Sequence, residues 1–189
     1  MKWLALVMLT LSTFLTAHEL VNLREYNPCF RFAGNGEAFL VKEAAMQLSR
    51  VQRDLAKEGI ALIILRAYLP KSQSPDYLAD VNRDPIGKTF SRGTAVDVSM
   101  EYISGNPLRL PTPPYVSLAE CFDYNSAPLA EICTCTIQKL QSLMARHGFI
   151  RSKNAWWHFD YRYWRSYPPL DFPVDELLFK KCLHDRINN

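Results

Sequence analysis

The chain has 189 residues, 48% of them hydrophobic and 22% charged, with a formal net charge of +3. That is enough apolar material for one compact domain with a real core, and too little chain for two full-sized ones. No dense stripe of lysine and arginine occurs, which argues against a nucleic-acid partner.

Met1-Lys2 precedes an apolar run, Trp3–Phe14, and small Ala17 closes Leu15-Thr16-Ala17. This is the form of a secretory signal peptide over residues 1–17. The run is short for a membrane span, with an uncleaved anchor as the alternative. Residues 18–189 then make a single exported domain, secreted or periplasmic, with no stable membrane insertion after cleavage. Five cysteines remain: Cys29, Cys121, Cys133, Cys135 and Cys182. Export permits disulfides, and the odd count leaves at least one thiol unpaired or intermolecular. Cys133-Thr134-Cys135 lacks the two-residue spacer of common zinc or redox pairs, so the cysteines read as structural.

Residues 18–39 carry the turn signals Asn27-Pro28 and Gly34-Asn35-Gly36, which predict an irregular opening with short strands. Val41, Ala44, Leu48, Val51 and Leu55 then recur at three and four residues, predicting an amphipathic helix over 40–58 that stops at Gly59. Ile60–Leu65 is a continuous apolar run, a buried strand, and Pro70 forces the chain out into a loop after Arg66-Ala67-Tyr68-Leu69. Residues 71–90 are polar and broken by Pro75 and Pro85, with a helical turn near Asp76–Val81.

Phe90-Ser91-Arg92-Gly93-Thr94-Ala95-Val96-Asp97-Val98-Ser99-Met100 begins as a turn and becomes a strand. Asp97 sits inside it, and a carboxylate among such neighbours is expensive to desolvate unless paired, hydrogen-bonded or bound to a cation. Pro107, Pro111, Pro113 and Pro114 mark a long surface connection. Leu129, Ile132, Cys133, Thr136, Leu140, Leu143 and Met144 predict a second helix over 128–146, stopped by Gly148. Phe149–Tyr163 returns as a hairpin carrying Trp156-Trp157-His158-Phe159, and a short helical pattern, Asp175–Leu183, ends the chain. The sum is α+β: helices packed on a small, mainly antiparallel sheet.

Among the four histidines, only His158 has a setting suited to a ligand; a packed, hydrogen-bonded core histidine is the alternative. His18 adjoins the cleavage point, His184 lies in the tail, and His147 stands at a helix end where its charge complements the dipole. Asp160 shares the face of His158 but lies further along the strand, which suggests an arginine partner.

Ala67-Tyr68 with Pro70, Ser91-Arg92-Gly93-Thr94-Ala95-Val96-Asp97, Cys121-Phe122-Asp123, His147-Gly148-Phe149 and Trp156-Trp157-His158-Phe159 together resemble the D-alanyl-D-alanine dipeptidases, zinc peptidases of cell-wall metabolism. The resemblance runs roughly over residues 20–172. It implies a zinc held by His, Asp and His, a glutamate general base, and an arginine that stabilises the transition state. Asp97 falls on the metal aspartate and His158 on the second metal histidine. At the position of the first metal histidine stands Phe90, at the glutamate Ala155, and at the arginine Leu69. Arg66 occurs nearby, where the family commonly has an aspartate.

These departures bear directly on the chemistry the resemblance implies. A catalytic zinc usually needs three protein ligands and an open position for water. Loss of the general base typically removes about two to four orders of magnitude in rate. Loss of an oxyanion donor removes roughly two to three more, though such losses need not add. Weak or absent zinc binding and impaired hydrolysis are therefore expected. Tyr68, Arg92 and Trp156 remain as substrate-binding candidates, with Arg92 or Arg66 positioned to meet a substrate carboxylate. The expected partner is D-Ala-D-Ala or a related cell-wall peptide. The alternative is a non-catalytic peptide-binding or scaffold protein.

Overall fold

The computed structural model describes residues 19–73, 89–108, 110, 131–153 and 155–178, with 131–134 by backbone alone. In chain order the elements are β1 (Leu20–Asn22), a short α1 (Leu23–Tyr26), β2 (Arg31–Phe32), β3 (Phe39–Val41), α2 (Lys42–Ala56) and β4 (Ile60–Arg66). A 3-10 turn (Lys71–Gln73), β5 (Ala95–Tyr102), α3 (Glu131–Arg146), β6 (Phe149–Arg151), β7 (His158–Tyr161) and a second 3-10 turn (Trp164–Ser166) follow. β1 and β3 form a two-stranded antiparallel ribbon, and the other strands form one sheet in the order β2-β4-β5-β7-β6. Within that sheet β2 runs parallel to β4, whereas the β4–β5, β5–β7 and β6–β7 pairings are antiparallel. The fold is α+β, as the alternation of helical and strand periods predicts.

The two long helices supply the apolar layer over the sheet. Ala44, Leu48, Val51 and Leu55 of α2 are buried, the stripe that a 3.6-residue period requires. They join Ile137, Leu140 and Met144 of α3 in one core cluster with Ile60, Leu62 and Ile64 of β4 and Val96, Val98 and Met100 of β5. Each of the Val, Leu, Ile and Met side chains among them, fully buried, contributes about 1.5–3 kcal/mol relative to exposure. Gln52 is buried inside this layer, where its Oε1 accepts the Leu62 N–H at 2.7 Å and ties α2 to β4.

Strand alternation fixes the other face of the sheet. With Val96, Val98, Phe159 and Tyr161 turned toward the core cluster, the intervening Asp97, Ser99, His158 and Asp160 must point the opposite way. All four are buried.

The boundaries differ in detail from the sequence expectations. The 40–58 helix spans Lys42–Ala56, and β5 continues past Met100 to Tyr102 because Ala61 and Ile60 of β4 still pair with Glu101 and Tyr102. Gly148 follows α3 with φ 85°, a left-handed stop that suits a residue without a side chain. Residues 174–178 are helical, overlapping the start of the Asp175–Leu183 pattern. Cys29 and Cys135 are free and exposed. The signal-peptide segment 1–17, the turn at Asp76–Val81, the prolines at 111, 113 and 114, Cys121-Phe122-Asp123, the start of the second helix at 128–130 and the chain end with Cys182 lie outside the described residues. Among the described residues no helix is long and apolar enough to cross a membrane.

Candidate functional site

Asp97 and His158 are direct partners in the antiparallel β5–β7 register, so their side chains leave the sheet on the same face. His158 Nδ1 lies 2.7 Å from Asp97 Oδ1. Its other ring nitrogen, Nε2, lies 3.3 Å from Asp160 Oδ1. His158 is 1% exposed, Asp97 2% and Asp160 5%. A neutral imidazole has one N–H, so a ring with a carboxylate at each nitrogen is best satisfied as the imidazolium. Burial opposes that charge, but the hydrogen bonds and negative charges of Asp160 and Asp97 outweigh it and raise the His158 pKa from 6.5 to about 10.

Asp160 corrects the sequence reading. Its partner is His158 rather than an arginine. Residues two apart on a strand share a face at a spacing of about 6.5 Å, and an imidazole ring is long enough to bridge it.

Phe90 is fully buried and meets His158 edge-on, with ring centroids 5.1 Å apart at 71°. The turn Thr89–Gly93 holds it there: Gly93 N–H and Arg92 N–H donate to the carbonyls of Phe90 and Thr89, and the Thr94 hydroxyl donates to Thr89 O. Gly93 takes φ 64° and its carbonyl accepts from Val41, which locks the turn to the ribbon. Ala155 is buried, and its carbonyl accepts the His158 N–H at 3.1 Å. Leu69 donates its N–H to Phe90 O at 3.4 Å. Phe90 thus meets His158 through its ring and Ala155 meets it through its carbonyl, while Leu69 meets Phe90.

The substrate-binding candidates stand differently. Tyr68 is 4% exposed, and its hydroxyl both donates to Phe172 O at 2.9 Å and accepts from Phe172 N–H at 3.0 Å. Arg92 donates to Tyr167 O and lies 5.5 Å from the centre of the Trp164 ring. Trp156 is buried in the core cluster, perpendicular to Trp157. Arg66 is half-buried and its guanidinium carbon lies 5.9 Å from the centre of the Phe90 ring. Away from the site, Glu101 pairs with Arg31 at 2.5 Å, and His147 pairs with Asp54 at 2.9 Å instead of merely capping α3. Among the described residues, no group of three or more His, Cys, Asp or Glu side chains is placed to hold a metal ion.

No family model matches the chain. It is similar to the D-alanyl-D-alanine dipeptidase of Escherichia coli (strain K12), with 28% identity over 143 residues that cover 69% of this chain and 70% of that protein. The similarity agrees with the motif resemblance.

Sequence reasoning missed Asp160 as a member of the site. The available signal is its period-two relation to His158, which puts both side chains on one face of the strand. It also had no means of seeing the irregularity in β4 that aligns Arg66 with Asp97.

Proposed function

We propose that the chain is an exported, divergent member of the D-alanyl-D-alanine dipeptidase family in which zinc-dependent hydrolysis is impaired or lost. Its remaining role on this reading is to bind D-Ala-D-Ala or a related cell-wall peptide. The similarity to the Escherichia coli enzyme supports the family, and residues 1–17 support export. Residues 18–189 act as one domain.

The observation that carries the loss of hydrolysis is the edge contact of Phe90 with His158. It puts hydrocarbon beside the imidazole at the position where the family pattern calls for a third ligand. The spacing of the two remaining residues points the same way. Ligand atoms about 2.0–2.1 Å from one tetrahedral zinc stand about 3.3 Å apart, whereas Asp97 Oδ1 and His158 Nδ1 are 2.7 Å apart. That separation suits a shared proton. The residues present therefore do not fit a catalytic zinc, and no hydrolytic step is assigned to them.

What remains in the site is a fully buried Asp97–His158–Asp160 network, with Leu69 and Ala155 offering no side-chain donor or base. A zinc titration with an assay for free D-Ala tests the reading. Stoichiometric zinc together with release of D-Ala from the dipeptide would overturn it. Calorimetry with D-Ala-D-Ala separates peptide binding from a purely scaffolding role, because a scaffold gives no saturable heat.

A further inference from the structure

We infer that the chain binds a phosphate group, free or as a monoester, in a cleft on the helix-covered face of the sheet. The cleft lies between Gln47 of α2, the C-terminal end of α3 at Arg146, and Arg162-Tyr163 just after β7. It offers about 200 Å³, several times the roughly 30 Å³ that one water occupies in the liquid. Tyr161 also lines it and belongs to the core cluster, whereas Asp97, His158 and Asp160 leave the sheet on the other side. The cleft is therefore separate from the site described above and independent of the peptide-binding reading.

Its lining is basic, and the protein does not neutralise it. Arg146 and Arg162 are both exposed, and no aspartate or glutamate lines the cleft with them. Arg146 has no hydrogen-bond or ion-pair partner among the described residues. The Arg162 guanidinium has one, the Ala145 carbonyl, to which Nη2 donates at 3.5 Å, the weak end of the hydrogen-bond range. Acidic groups close by are committed elsewhere. Asp54, beside His147, is held by that ring and by Lys57, and Glu43 accepts the Tyr167 hydroxyl. The negative end of the α3 dipole is worth only about half an elementary charge, against two on the guanidiniums. Gly148 gives Arg162 its place: a Cβ there would stand 3.0 Å from Arg162 Nε and 3.5 Å from Cζ.

The neutral groups in the lining also suit an anion. Tyr161 is buried, yet its hydroxyl has no hydrogen-bond partner among the described residues, and buried polar groups are normally partnered. Burial raises its pKa, with Tyr163 and Glu43 adding and Arg162 opposing. The phenol therefore stays protonated and offers its hydrogen. The Gln47 side-chain oxygen accepts from Arg50 at 3.3 Å, which leaves the amide N–H groups as donors. Two guanidinium forks among such donors match a dianion better than a single carboxylate. A phosphate monoester carries about −1.5 to −2 near neutral pH, with three acceptor oxygens.

Calorimetry at constant ionic strength tests this, since salt screens exposed charges. The mature chain is titrated with inorganic phosphate, glycerol 3-phosphate and acetate. Saturable binding of a phosphate form is expected, at least about tenfold tighter than acetate, and the tighter of the two forms shows whether the free ion or the ester is preferred. Arg146→Ala and Arg162→Ala should each weaken it about ten- to a hundredfold, the range for a hydrogen bond to a charged group. Arg162→Lys keeps the charge without the fork and should lose part of the affinity, which also covers an alanine variant that fails to fold by circular dichroism. Lys139→Ala removes a cation two turns earlier on α3, paired with Glu58, and should leave affinity unchanged. No saturable heat with either phosphate form overturns the inference. So does an equal loss in Lys139→Ala, which would mean diffuse surface attraction. Arginine variants that are less stable but bind phosphate as the native chain does would reduce both residues to end-caps of α3, and the inference would fail.

Discussion

Phe90 and His158 meet edge to face with their ring centres 5.1 Å apart, although 68 positions separate them in the chain. One comes from a tight turn before β5 and the other from the start of β7. Their contact decides what the neighbouring polar groups can do: His158 is left to its two carboxylates, Asp97 and Asp160.

Restoring an imidazole at that contact should restore metal affinity before it restores chemistry. Phe90→His is expected to raise zinc binding by at least about tenfold, since a third ligand completes the minimum set for a catalytic site. Phe90→His, Ala155→Glu and Leu69→Arg together are expected to release D-Ala from D-Ala-D-Ala in the presence of zinc. Metal content by atomic absorption and product by an amino-acid assay check the two steps separately. Zinc gained without turnover in the triple variant would show that the pocket has diverged beyond these positions.

The His158 ring should remain doubly protonated in the metal-free chain well above the usual range. Its pKa is raised from 6.5 to about 10 in the folded state, so the stabilisation it provides is fully present below about pH 6.5 and is lost as pH rises through about 10. Nitrogen chemical shifts of the imidazole at pH 8 report this directly; one protonated and one bare nitrogen at that pH would contradict it.

Replacing His158 by leucine leaves two buried carboxylates without their shared partner. The expected destabilisation is about 3–5 kcal/mol near neutral pH, the cost of breaking a buried charge network from one side. Denaturant unfolding measures it, and an unchanged midpoint would show that the network adds nothing to stability.

Gly93→Ala should destabilise the turn that positions Phe90. The residue holds φ 64°, and an added Cβ would lie 2.4 Å from Leu20 Cδ2. The left-handed backbone alone costs about 1–2 kcal/mol for a residue with a side chain, and Leu20 must move as well. A lower denaturant midpoint with an unchanged slope is the expected signature.

The Asp54–His147 pair gives a milder, acid-side effect. Hydrogen bonds from Lys57 and His147 lower the Asp54 pKa from 3.8 to about 2. Its contribution is therefore present above about pH 3.8 and is lost as pH falls through about 2. The carboxylate is solvent-accessible, which keeps the effect small. In Asp54→Asn, stability should fall less steeply between pH 4 and pH 2 than in the native chain.

The sequence by itself determined the long elements and, within regular stretches, the face that each side chain takes. The spacing of Val41, Ala44, Leu48, Val51 and Leu55 is a helix because hydrophobic burial at a 3.6-residue period permits little else. The apolar run at Ile60 is a buried strand because it is short, unbroken and rich in β-branched isoleucine. Placing Asp97 and His158 on strands was enough to suggest that they converge, and the family resemblance marked Phe90, Ala155 and Leu69 as the altered neighbours.

Only the tertiary structure decided how these pieces meet. Periodicity states which way a side chain points and is silent on what lies within its reach. Asp160 therefore passed for a distant residue until the β5–β7 register set His158 between two carboxylates. The tail likewise brings Tyr167 O to Arg92 and the Phe172 backbone to the Tyr68 hydroxyl, across most of the length of the domain. The shift that sets Arg66 opposite Asp97 arises from pairing β4 with β5 across a long stretch of chain. Register, bulges and the path of a tail are settled by contacts remote in sequence, and no local pattern encodes them.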